Sequence, residues 1–138
     1  MVEIKGVYKG DLLCEVVHGP SGVMLQTDAP VDNNGKGRSF SPTDLLATAL
    51  GTCMLTVMGI VAQRNHIDLA GTKLVVRKEM TSQPVRRVGT LEVDILVPTN
   101  LSDEDRRRLE NAADVCPVKR SLHPDVNIRV CFQWGKQV

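Results

Sequence analysis

The chain has 138 residues, 42% of them apolar and 24% charged, with a formal charge of +1; that is enough for one folded domain over 1–138 with a single core. So balanced a charge favours neither nucleic acid nor an anionic membrane as partner, and Tyr8, Phe40, Phe132 and Trp134 are too few aromatics for a base-stacking platform. The opening residues, MVEIKGVYKG, lack the basic, apolar and small-residue blocks of a secretory signal, so the cytoplasm is the expected compartment, where disulfides are catalytic or redox-sensing more often than structural.

Along the chain, EIKGVYKG and LLCEVVHG flank a Gly10-Asp11 turn, and GVMLQTD follows Pro20-Ser21-Gly22. Together they predict a small antiparallel sheet. APVDNNGKGR reads as a mobile polar loop. SFSPTDLLATALGTCMLTVMGIVAQRN, residues 39–65, then reads as one long helix. Ser41 suits the N-cap, Pro42 the first helical position, and Asp44 completes a capping box. No charged residue occurs from Leu45 to Ala62, and apolar residues fall on every side, so the helix must be buried all round or cross a membrane. Thr48, Gly51, Thr52, Thr56 and Gly59 dilute it too far for a span, which leaves a core helix. One domain of this size has too little sheet to wrap it, so a homodimer that buries the helix jointly is expected.

TKLVVRKEM and VGTLEVDILVPT follow as strands; in the second, Leu91, Val93, Ile95 and Val97 alternate with Glu92 and Asp94. LSDEDRRRLENAADV is a second helix, with Ser102 and Asp105 as its capping box. A short helical turn after Cys116 and a last strand, VNIRVCFQW, complete the order βββ-α-ββ-α-α-β, an α+β fold.

The four cysteines, Cys14, Cys53, Cys116 and Cys131, show no C-x-x-C and no metal-finger spacing, and His18, His66 and His123 are scattered. Neither a metal nor a cofactor is expected. Cys53 lies beyond the first turn of its helix, where the macrodipole does not reach, so it needs a specific donor or cation to be reactive. Cys116 precedes Pro117 at a helix start with Lys119 and Arg120 close behind, and electrostatics make it the more acidic thiol. Cys14 is expected in the core and Cys131 partly exposed.

SPTDLLATALGTC, followed some sixty residues later by VCPV, resembles the OsmC/Ohr family of osmotically inducible and organic-hydroperoxide-resistance proteins, and the element order matches over essentially the whole chain. The resemblance implies an intertwined homodimer with two sites at its interface. It implies a thiol peroxidase in which Cys53 is the peroxidatic thiolate and Cys116 the resolving thiol. The substrate would be an organic hydroperoxide or hydrogen peroxide. An external dithiol, whether a lipoyl protein, thioredoxin or a small thiol, would reduce the Cys53–Cys116 disulfide. It further implies an arginine from the segment before the helix, for which Arg38 is the candidate, and a carboxylate near the helix start, for which Asp44 is the nearest. The organic-hydroperoxide branch has glutamate directly after the proline, where this chain has Thr43. Nine residues along a helix turn about 180° and rise about 13 Å, so Asp44 would have to serve Cys53 from the other subunit.

Two rival readings stand beside the peroxidase. One is a non-enzymatic dimer of the same fold, binding an apolar ligand or sensing redox state through its thiols. The other is a cysteine hydrolase that pairs Cys116 with His123 on one helical face, although no oxyanion hole or acidic third member is recognisable.

Overall fold

Strands β1 (Ile4–Gly10), β2 (Leu13–His18) and β3 (Met24–Asp28) form an antiparallel sheet in the order β1-β2-β3. The computed structural model describes residues 1–135, and its packing divides them into two compact units, the first from Met1 to Leu46 and the second from Ala47 onward. The β1–β2 turn lies one residue beyond the expected place. Gly10 pairs with Leu13, so Asp11 and Leu12 are the turn residues, with φ of 53° and 62°. Two left-handed residues in succession are the geometry of a tight hairpin. Leu12 holds that conformation unfavourably for a side chain of its kind, while the Tyr8 hydroxyl accepts its N–H at 3.2 Å. The stretch expected to be a mobile loop contains a 3-10 turn at Val31–Asn33 and is tied to itself by Gly35 N–H to Pro30 C=O at 2.9 Å.

Helix α1 (Pro42–Arg64) starts as the sequence dictates. Ser41 N–H donates to Asp44 Oδ2 at 2.8 Å, and Asp44 N–H donates to Ser41 Oγ at 3.1 Å. This reciprocal box satisfies two orphan donors and contributes about 1 kcal/mol.

The second unit is built on a sheet in the order β4-β5-β6. Strands β4 (Lys73–Thr81) and β5 (Arg87–Val97) are antiparallel, whereas β6 (Asn127–Trp134) runs parallel to β5. A parallel pair needs a long crossover, and α2 (Asp103–Asp114) with α3 (Pro117–Ser121) supplies it. The alternation read in β5 is the observed burial: Leu91, Val93, Ile95 and Val97 are buried, and Glu92 and Asp94 face outward to pair with Arg129 and Arg77. Ser102 caps α2 through Asp105 N–H at 3.2 Å, but the Asp105 carboxylate takes the Ser102 hydroxyl rather than its N–H.

The long helix is not buried all round. Leu50, Gly51, Met54, Met58 and Ala62 form a buried stripe, while Thr52, Thr56 and Ile60 are exposed. A three-stranded sheet covers only one side of a helix, and α2 and α3 add Leu109, Ala113 and Cys116 to the same core, yet Thr52, Thr56 and Ile60 stay uncovered. On the buried side the approach is close. A Cβ added at Gly51 would stand 2.7 Å from Val76 Cγ2 and 2.8 Å from Leu74 Cδ2. Glycine there lets α1 seat on β4.

Candidate active site: a helix thiol against a buried capping thiol

Cys53 projects from the flank of α1, partly buried, and Cys116 lies wholly buried at the end of α2. The fold packs Cys53 against the core cluster that contains Cys116, near enough for Cys53 to act on the Cys116 thiol, and neither is part of a disulfide. Three local features fix Cys116. Its backbone is extended at φ −62° and ψ 140°, Pro117 takes the first helical position behind it, and its Sγ accepts Lys119 N–H at 3.3 Å. A sulfur thus occupies the N-cap where serine or aspartate is usual.

The expectation that Cys116 is the more acidic thiol is overturned. Burial pushes its pKa up and the neighbouring Cys53 sulfur adds to the rise, outweighing the N–H groups of Lys119 and Val118 that pull it down. The lysine charge that the sequence places beside Cys116 is spent elsewhere, since the Lys119 ammonium pairs with Asp114. Arg120 is exposed.

His123 does not share a helical face with Cys116. Helix α3 ends at Ser121, and His123 lies beyond it, exposed, its Nδ1 accepting Asp125 N–H at 3.1 Å. A base turned to its own loop and a thiol without exposed surface are not a nucleophile–base pair. Cys131 is exposed on the outer face of β6, paired in register with Asp94. Cys14 is half-buried between Tyr8 and Thr27 in register, not deep in a core.

In the first unit, Arg38 is held by a residue that sequence reasoning missed. Its Nε donates to Asp28 Oδ2 at 2.7 Å, one Nη2–H to Asp28 Oδ1 at 3.2 Å and the other to the Asp11 carbonyl at 3.0 Å. Its backbone N–H also reaches Asp28 Oδ2 at 3.0 Å, and Nη1 lies 3.5 Å from Asp11 Oδ2. The guanidinium therefore buttresses the left-handed Asp11–Leu12 turn from the end of β3. Asp28 is 1% exposed. The Arg38 side chain, followed by its N–H, holds the Asp28 carboxyl down at about 2, below the ordinary 3.8. An acid depressed on folding stabilises the fold above its ordinary value and loses that contribution as pH falls through its folded value. Urea denaturation of the native chain and of Asp28→Asn should therefore differ most above about pH 4 and converge toward about pH 2. A constant difference across that window would place the stabilisation elsewhere. Asp44, as the closing member of the α1 capping box, is likewise committed locally.

The profile of the OsmC-like protein family matches residues 35–130, more than half of the chain. No curated protein matches the sequence. Among solved structures, a protein from Psychrobacter arcticus 273-4, described as an osmotic stress induced and detoxification response candidate, is 45% identical, with 96% of each chain covered and a TM-score of 0.91. An organic hydroperoxide resistance protein OsmC from Legionella pneumophila is 18% identical, with 96% of each chain covered and a TM-score of 0.77. The Bacillus subtilis organic hydroperoxide resistance protein OhrB is 14% identical over 96% of this chain and 98% of its own, with a TM-score of 0.70; these last two share the fold. With the α+β architecture and the family profile in agreement, the chain belongs to the OsmC-like family.

Proposed function

We propose that the chain is a thiol peroxidase that reduces organic hydroperoxides at Cys53, with Cys116 as the resolving thiol. The observation that carries this reading is the placement, at one core cluster, of a partly accessible helix thiol and a buried thiol held at an N-cap. The Cys53 thiolate attacks the terminal peroxide oxygen, the O–O bond breaks, and the alkoxide leaves and takes a proton to become the alcohol. The Cys53 sulfenic acid then condenses with the Cys116 thiol, giving the disulfide and water. An external dithiol returns both cysteines to thiols by exchange and is itself oxidised. Family membership supports the reading, as do fold neighbours described as organic hydroperoxide resistance proteins.

In this reading Arg38 and Asp44 act by position. Arg38, through Asp28, braces the segment that leads into α1, and Asp44 fixes the first turn of α1. The working form is a homodimer in the cytoplasm, with the uncovered side of α1 at its interface. Stoichiometric cumene hydroperoxide should convert the native chain to a Cys53–Cys116 disulfide, seen by peptide mapping. A dithiol should then sustain repeated peroxide consumption. Disulfide formation without turnover would favour the redox-sensing dimer instead, and neither result would leave an apolar-ligand-binding domain.

A further inference from the structure

We propose that Cys116 makes α3 a redox-sensitive element: as a free thiol its sulfur caps the helix, and as half of a Cys53–Cys116 disulfide it releases it. This deepens the peroxidase reading and rests on its assignment of Cys53 and Cys116 as the pair that joins.

Helix α3 has five residues, Pro117–Ser121, far fewer than a helix needs to hold itself in water. What keeps it is local. Its first turn carries orphan N–H groups, and the Cys116 sulfur, at the N-cap, accepts the N–H of Lys119 at 3.3 Å. The Cys116 carbonyl accepts the Arg120 N–H at 3.2 Å, and the Ser121 hydroxyl donates to the Pro117 carbonyl at 2.8 Å. Outside the helix, the Lys119 ammonium pairs with Asp114 at the end of α2, and Val118 and Leu122 rest against the core. The buried Cys116 sulfur thus belongs to the core and to the cap at once.

Oxidation asks that sulfur to move. The hydroperoxide oxidises Cys53 to the sulfenic acid and is itself reduced to the alcohol. The Cys116 sulfur then attacks the Cys53 sulfur, the S–S bond forms as the S–O bond breaks, and the thiol proton departs with the hydroxyl as water. Both cysteines are free in the structure, so one side must shift to bring the sulfurs to covalent distance. The two sides are not equally stiff. Cys53 sits in a 23-residue helix whose Met54 and Met58 are fully buried and whose Gly51 leaves no room against Val76 and Leu74. Cys116 starts a five-residue helix that is joined to α2 through Val115 and Cys116 alone. The shift therefore falls on Cys116, and a sulfur turned to Cys53 no longer faces the Lys119 N–H. Helix α3 loses its cap and loosens, and the Lys119–Asp114 link loosens with it. The α2–α3 corner then differs between the two redox states, which gives a reducing dithiol a means of telling the oxidised chain from the reduced one.

The test is amide hydrogen exchange at Lys119, followed by NMR in the full chain, reduced and after stoichiometric cumene hydroperoxide, with peptide mapping of the cysteines. Once the disulfide has formed, Lys119 should exchange about fivefold faster or more, while amides in the middle of α1 stay as they were. Without peroxide, Cys116→Ala should exchange at Lys119 as fast as the oxidised native chain, and Cys116→Ser, whose hydroxyl still caps, as slowly as the reduced one. Cys53→Ser, which has no partner sulfur to offer, should not respond to peroxide at Lys119. A mapped disulfide with unchanged Lys119 exchange would overturn the proposal and leave the peroxidase reading standing, and this comparison needs no variant to fold. Slow exchange in reduced Cys116→Ala would overturn it too, because the sulfur would then not be the cap. A native chain that forms no disulfide would remove the peroxidase reading and the switch together.

Discussion

Cys53→Ser should consume no organic hydroperoxide above buffer, a loss of about a thousandfold or more, because an alcohol at ordinary pKa is a weak nucleophile. Cys116→Ser should behave differently. Its Cys53 can still be oxidised once, but the sulfenic acid has no thiol to condense with and should persist long enough for dimedone to label it. The two phenotypes separate attack from resolution, which a single inactive variant could not do. Cys14 and Cys131 are internal controls, since both are free thiols whose register partners are Tyr8 and Thr27 for the one and Asp94 for the other, none of them cysteine. Cys131, exposed on β6, is open to slow oxidation without turnover. The measurement is peroxide consumption under a dithiol, with mass mapping of each cysteine. Turnover that survives in Cys53→Ser would move the chemistry to another sulfur and end the assignment of Cys53.

How far these residues could be read in advance depended on how local their causes are. The α1 start was legible because Ser41, Pro42 and Asp44 are adjacent and each acts on its neighbours. The alternation of β5 was legible for the same reason. The N-cap position of Cys116 could be read from Pro117, but its acidity could not, because burial raises its pKa and Asp114, five residues before Lys119, takes the ammonium. Asp28 offers no local signal at all. In MLQTDAP it resembles any strand-end aspartate, and its role emerges only when the chain returns ten residues later with Arg38. The parallel pairing of β6 with β5 was likewise beyond a pattern of alternation, which fixes the face of a strand and not its neighbour. Helix α1 is apolar on every side by composition; that the strip with Thr52, Thr56 and Ile60 stays uncovered within the unit follows from sheet width, which no periodicity encodes.

The uncovered side of α1 leads to the second large effect: Thr56→Arg should weaken self-association by about a hundredfold or more while leaving the single chain folded. Thr52, Thr56 and Ile60 are exposed on this side. The threonine hydroxyls are not available to water in the usual way, because Thr52 Oγ1 donates to the Thr48 carbonyl and Thr56 Oγ1 to the Thr52 carbonyl, each at 2.8 Å. Their methyl groups and the Ile60 side chain therefore present an apolar strip without a charge. A bilayer could cover such a strip, and α1 is long and apolar enough by length and composition to cross one. The opposite side of the same helix, however, packs into the β4-β5-β6 core through Leu50, Met54 and Met58, so lipid could not surround it. A second copy of the chain can cover the strip and leave the core intact. An unpaired guanidinium in the middle of that contact would cost about 3 kcal/mol or more, which is the hundredfold change in Kd. Because Thr56 is exposed in the single chain, circular dichroism should be unchanged by the substitution. Sedimentation velocity over a concentration series would read the result. A native chain that sediments as a monomer at all concentrations, or a Thr56→Arg chain that dimerises as tightly as the native one, would mean that this side of α1 is not where two copies meet.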